Sequence, residues 1–349
     1  MSSLGEALET ARRAQGWTQE DLAHKAGITQ AALSRYEHDL REPSAETLAV
    51  LANCLGVTAE LLTSSGRQQG AMAVDAHMRR RATAPPSKWR QLEAQLNMLR
   101  MHARQLFGEV SMNAQQFVPS IDPIDTDPES AARMVRMQWR MPAGPVRSLI
   151  QWLEAAGCLV VEHDFGTSRV DGMSQWIDGH PLIMINVAAP TDRKRLTLAH
   201  ELAHLVLHSA HATDDVEKDA NRFASEFLMP TEVIRPELRG LTLGKLNALK
   251  RQWGVSMQAI IEKAFGLGLI SATQRARFYQ QFSARGWRTN EPASDELPPE
   301  RVTLPAAIAD SLTARGWTQE DIDRVAGYNG AESNFNPFQP SSSRFRLIR

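Results

Sequence analysis

Residues 191–208 restrict the fold of this chain more than any other segment, because they place His200-Glu201-Leu202-Ala203-His204 inside a strongly apolar helical pattern. Histidines four residues apart lie on one face of an α-helix, so both rings can bind a single metal ion. Glu201 sits beside them, where a carboxylate can act as general base. Leu196, Leu198, Leu202, Leu205 and Leu207 surround the pair with the apolar wall that a buried metal helix requires. Among ten histidines such a spacing can also arise by accident, and the apolar surround is what gives it weight.

Two imidazoles leave a metal short of ligands. His208 lies about 12 Å from His200 along a helix axis, too far to join unless the helix breaks, and no glycine permits a break. The candidates are therefore Glu217 and Asp219, on a following helix that runs through Phe223 and Phe227. Asn221, four residues after Glu217, is placed to orient a ligand histidine. Asp219 points about 160° away from the Asn221 side, so Glu217 is favoured and Asp219 is the rival.

The rest of the chain has a different character. Residues 4–63 read as short helices: Thr18, Thr29 and Ser44 are placed as N-caps, and Gly27 and Gly56 as stops. A polar stretch from Ser64 to Pro86, with Arg79-Arg80-Arg81, reads as a linker, and residues 87–108 read as helical again. Strands are expected at 158–162, 172–176 and 182–186, and three helices within 242–283. This order predicts a mainly α chain: an N-terminal all-α domain and an α+β domain with a small sheet beside the histidine helix. The expected boundaries are 1–66, a basic linker and connecting helix at 67–128, the α+β core at 129–241, a helical subdomain at 242–290 with helix-turn-helix-like or partner-binding character as its two readings, and a helical extension with a loose tail at 291–349. Gly316 to Asp321 echoes Gly16 to Asp21, yet the flanks match only in part and a duplicate domain is doubtful.

Composition excludes several classes. Only two cysteines occur, far apart, so neither a disulfide framework nor a cysteine-based zinc site is expected, and a reducing cytoplasm fits. No apolar run reaches the ~20 residues of a membrane helix, and the first 25 residues carry no secretory signal. The net charge of −1 is uneven: residues 1–66 hold five basic and nine acidic side chains, and residues 67–104 hold eight and two. A basic block beside an acidic small domain suits nucleic acid or an acidic partner.

Gln15 to Ala23, Gly27 to Gln30, Leu33 to Glu37 and Arg41 to Ser44 together resemble the Cro/repressor-like (XRE) helix-turn-helix family. The resemblance implies duplex DNA as partner, with a helix capped by Thr29 entering the major groove. Gln30 and Ser34 are the candidate base readers, and Gln19 and Arg35 the candidate phosphate contacts. The acidic balance of the domain counts against it. The domain would act as a homodimer or be held by the rest of the chain.

Residues 193–208, Glu217 to Ala224, Phe227 to Pro230, Val170 to Ser174, Pro181 to Asn186 and Gly286 to Arg288 look like the ImmA/IrrE family of zinc metallopeptidases. Ala203 stands where that family usually has glycine, with no loss expected in a helix. Membership implies a zinc endopeptidase with His200, His204 and Glu217 on the metal, Glu201 as base and Asn221 behind a ligand histidine. Its substrate would be a helix-turn-helix repressor, or the chain itself, in stress or mobile-element control. The strand 182–186 would offer an edge to the peptide if uncovered. The alternative is a non-enzymatic repressor or antitoxin-like regulator whose zinc domain senses or scaffolds. An intact Glu201 argues for the enzyme, because a structural zinc site needs no base.

Overall fold

A computed structural model describes residues 4–64, 85–110, 114–208, 215–330 and 335–341. The Arg79–Arg81 run and His211 lie outside these residues. In chain order the elements are α1 (Leu4–Ala14), α2 (Gln19–Lys25), α3 (Gln30–Glu37), α4 (Ala45–Leu55), α5 (Ala59–Ser64), α6 (Pro86–Phe107), α7 (Pro128–Gln138) and α8 (Leu149–Ala155). Then come β1 (Leu159–His163), β2 (Gly172–Ile177), β3 (His180–Asn186), α9 (Thr191–Leu207), α10 (Val216–Leu228) and α11 (Thr231–Ile234). The chain continues with α12 (Leu243–Trp253), α13 (Met257–Gly266), α14 (Ala272–Ala284), α15 (Leu304–Ala314) and α16 (Gln319–Ala326). The class is the expected one, mainly helical with a small sheet. Among the described residues, no helix is long and apolar enough to cross a membrane.

The chain forms two compact units, one of residues 1–113, 175–182 and 303–349, the other of residues 114–174 and 183–302. In the first, each short helix starts where its cap residue stands. Thr18 and Asp21 form a reciprocal capping box, and Thr29 and Ser44 accept from Ala32 and Thr47 backbone N–H groups. Leu8, Leu22, Leu33 and Leu51 are fully buried at the centre, joined by Met98 and Met101 of α6. Gln95 of α6 donates to the Ala14 carbonyl at 3.1 Å and so satisfies the C-terminal end of α1. His102, also on α6, is buried and donates Nδ1–H to the Ala326 carbonyl at 2.7 Å. Burial lowers its pKa to about 4, so the ring is neutral at neutral pH.

The 291–349 segment, expected as a helical extension with a loose tail, contains α15 and α16. Their helical signal is carried by Ile308, Leu312 and Ile322, all buried, and by a second capping box between Thr318 and Asp321.

The sheet order is β1-β3-β2. The strand 182–186 is therefore central and paired on both sides, so of its two readings, open edge or covered core strand, the covered one holds. α9 packs along α10, and α10 against α7. The 243–302 segment is tied to α9 by buried ion pairs. Lys250, fully buried, reaches Asp192 Oδ2 at 2.6 Å, Glu291 Oε2 at 2.9 Å and Ser294 Oγ at 2.7 Å.

Arg195 is 3 % exposed. It pairs with Glu300 and donates to the Val146 and Gly254 carbonyls. It lies one turn after Asp192, on the face of α9 that meets this segment. Glu300 in turn accepts from the Leu149 and Ile150 N–H groups, the amino end of α8 that Ser148 leaves uncapped.

Candidate metal centre and nucleic-acid interface

α9 carries His200 and His204 one turn apart, with ring Nε2 atoms 3.0 Å from each other. α10 brings Glu217 against them: Oε2 is 3.5 Å from His200 Nε2 and Oε1 is 3.5 Å from His204 Nε2. One ligand atom from each of the three lies within 4.8 Å of the others. Bond lengths of 2.0–2.2 Å at a tetrahedral zinc put ligand atoms about 3.3–3.5 Å apart, so the donor set and its spacing suit that ion. His200 Nδ1 lies 3.1 Å from Asn221 Oδ1. A carbonyl oxygen only accepts, so Nδ1 holds the ring proton and Nε2 turns its lone pair toward the shared point. His204 Nδ1 is 3.0 Å from His208 Nδ1, and His208 is itself buried. His208 thus meets the back of His204 rather than the shared point. Asp219, the rival ligand, stands outside the three-residue group, 3.6 Å from Arg222 Nη1.

Glu201 also stands outside the group. It is 5 % exposed, and its Oε2 accepts from Ser174 Oγ at 2.8 Å. Gly172, two residues earlier on the same face of β2, makes room: a Cβ there would stand 2.4 Å from Thr197 Cγ2 and 3.2 Å from Glu201 Cγ. The carboxylate is thereby held between helix and strand. Sequence reasoning gave neither Gly172 nor Ser174 a part in the site, and the spacing Gly-x-Ser on a strand was the one local trace of it.

The N-terminal candidates form a connected chain of side chains. Gln30 Nε2 donates to Gln19 Oε1 at 2.7 Å, and Gln19 Nε2 to Glu37 Oε2 at 2.7 Å. Glu37 takes both Arg12 Nε at 2.6 Å and Nη2 at 2.8 Å. This run locks α3 against α1 and α2. Gln30 and Arg35 are exposed, Ser34 is half-buried, and Thr29 is engaged as the cap of α3.

Residues 8–62 match the helix-turn-helix domain, and residues 153–265 match the IrrE N-terminal-like domain. The chain joins these two domains. Among its relatives is the HTH-type transcriptional regulator ImmR of Bacillus subtilis (strain 168), 42 % identical over 60 residues, which are 17 % of this chain and 47 % of ImmR. Another is the SPbeta prophage-derived HTH-type transcriptional regulator YonR of the same strain, 35 % identical over 66 residues, 19 % of this chain and 61 % of that relative. The chain thus spans about half the length of the curated relatives it matches, and both similarities are as long as one helix-turn-helix domain. The IrrE N-terminal-like match encloses α9 and α10, and with them His200, Glu201, His204, Glu217 and Asn221.

Proposed function

We propose that this chain is a DNA-binding transcription regulator with a zinc-dependent endopeptidase domain, which cleaves a repressor-type protein or the chain itself in stress or mobile-element control. The observation that carries it is the buried Glu201 carboxylate, held by Ser174 beside the His200–His204–Glu217 group without being part of that group. A purely structural site has no use for a positioned base. Zinc held there supplies Lewis-acid chemistry that activates water and polarises a carbonyl. Glu201 takes the proton from the attacking water at its carboxylate and delivers it to the leaving amine nitrogen. Ser174 fixes the carboxylate rotamer for both transfers, and Asn221 and His208 orient the two imidazoles. The domain composition favours a cytoplasmic protein, with duplex DNA and a helix-turn-helix repressor as partners.

Elemental analysis of the purified protein tests the metal. About one zinc per chain is expected, with most of it lost in Glu217→Ala and retained in Asp219→Ala. Loss in Asp219→Ala with full occupancy in Glu217→Ala would move the third ligand to Asp219.

For DNA, footprinting upstream of the protein's own gene is expected to reveal a protected site. Gln30→Ala with Arg35→Ala should weaken it, the lost Gln30 base contact costing about 1–3 kcal/mol and the lost Arg35 phosphate contact weakening binding further. A footprint unchanged in that double variant would sink the α3 surface as the reader. No footprint at all would make the domain a protein-interaction module.

A further inference from the structure

Residues 304–328 repeat residues 4–28 at a constant offset of 300, with eleven of the 25 positions identical. The remaining positions keep their type where it matters: Leu8 becomes Ile308 and Leu22 becomes Ile322, all buried. The backbone repeats as well. Trp17 N–H donates to the Arg12 carbonyl and Trp317 N–H to the Leu312 carbonyl, both at 3.2 Å. Ile28 N–H donates to Ala23, and Tyr328 N–H to Asp323. Gly16 and Gly316 have φ of +74° and +92°, and both copies open the second helix with a capping box. α15 and α16 are a second copy of α1 and α2.

The differences fall where the first copy holds α3. Arg12, which clamps Glu37 of α3, is replaced by Leu312, and small Ala23 by Asp323. Gln319, the counterpart of the Gln19 that bonds Glu37, donates instead to the Phe338 carbonyl at 3.2 Å. Asn336 Nδ2 donates to Asp323 Oδ1 at 2.7 Å, and Phe338 is fully buried. An extended strap therefore uses the side chain that would anchor a recognition helix.

This copy sits on the first unit's own helix-turn-helix domain. Thr58 N–H donates to the Gly327 carbonyl and Asn329 N–H to the Gly56 carbonyl, each at 3.0 Å, around a bridge between buried Val57 and Tyr328. The Tyr328 ring stacks on His102 of α6 at 3.8 Å. Gly327 lies so close that a Cβ would stand 2.8 Å from the Leu61 side chain.

We propose that residues 304–330, with 335–341 laid against them, are a second helix-turn-helix start that no longer reads DNA and serves as an in-chain partner for the first. It occupies the face around Val57 and Leu61, so that each chain presents one recognition helix alone. Two-fold pairing needs the same patch free on both subunits, and here the chain covers that patch itself. Once uncovered, Val57 and Leu61 form an apolar patch of the kind that self-associates. The recognition helix and the loss of DNA reading rest on the proposed DNA-binding function, and the covering of Val57 and Leu61 does not.

Sedimentation velocity of the full chain tests the covering without DNA. The wild type is expected to sediment as one chain across the micromolar range. Gly327→Val, strained at φ +86° and pressed on Leu61, is expected to sediment as two chains with its helical circular dichroism intact. A wild-type dimer, or a Gly327→Val chain that stays folded and single, overturns the proposal. Asn53→Cys with Asn329→Cys, in a Cys54→Ser background, guards against misfolding of Gly327→Val, since these side chains meet at 3.5 Å. On a non-reducing gel the disulfide is expected within one chain, and a cross-link between two chains overturns the in-chain partner. Loss of DNA binding in footprinting would remove the regulator reading and leave these outcomes standing.

Discussion

Glu201→Gln is expected to keep the zinc and the fold while peptide-bond cleavage falls by ~10²-fold or more, the usual scale for removing a positioned proton-transfer group. The amide has the size of the carboxylate, and its oxygen can still accept from Ser174 Oγ, which lies 2.8 Å from Oε2 in the native chain. What it cannot do is take a proton from water. Glu201 is not among the three grouped ligands, so zinc content should stay near one equivalent. The assay incubates the protein with the neighbouring gene's repressor and identifies products by mass spectrometry. Undiminished cleavage by Glu201→Gln would mean another base or a contaminating protease. Absence of cleavage by the zinc-loaded wild type, with the trigger supplied, would favour the non-enzymatic regulator.

Lys250→Ala is expected to destabilise the second unit by about 3–5 kcal/mol, the range for breaking a buried ion pair from one side. Its ammonium is fully buried between Asp192, Glu291 and Ser294, so truncation leaves two carboxylates without their cation. Glu291 keeps the Met257 and Gln258 N–H groups at the start of α13, at 2.7 and 3.0 Å, whereas Asp192 loses its main partner. Asp192 lies in the first turn of α9, so the damage enters the helix that carries His200 and His204. Denaturant unfolding followed by circular dichroism measures the loss. Adding Asp192→Asn should recover part of it, because one stranded charge is removed. A change below about 1 kcal/mol in Lys250→Ala, the scale of an exposed pair, would show that the network contributes little.

Local signals in the sequence were strong enough to read the helices. Thr18, Thr29 and Ser44 cap through atoms three residues away, and the face shared by His200 and His204 follows from helix pitch alone. The link from Asn221 to His200 was legible for the same reason, since Glu217 and Asn221 are one turn apart. The unread parts depend on distant segments. Ser174 meets Glu201 across 27 residues and Arg195 meets Glu300 across 105, distances at which a single sequence has no periodicity to offer. Arg195 follows Arg193 and Lys194 in a charged run, and only tertiary packing tells the buried one from its half-exposed neighbours. The echo at 316–321 is the longest identical run of a longer repeat. Its flanks had kept apolar character rather than identity, and burial of Ile308 and Ile322 depends on that character.

The first unit is assembled from residues 1–113, 175–182 and 303–349, with the second unit encoded between the first and last of these. On the ribosome, therefore, the face around Val57 and Leu61 emerges long before the residues that cover it. At ~5–20 residues per second the wait is roughly 10–50 s, far longer than a small helical domain needs to fold. During that interval each nascent chain carries an uncovered apolar face, and chains on neighbouring ribosomes carry the same one. Vectorial synthesis thus exposes the nascent protein to a pairing that the finished molecule has closed off, and slow translation of the stretch from 114 to 302 lengthens the exposure.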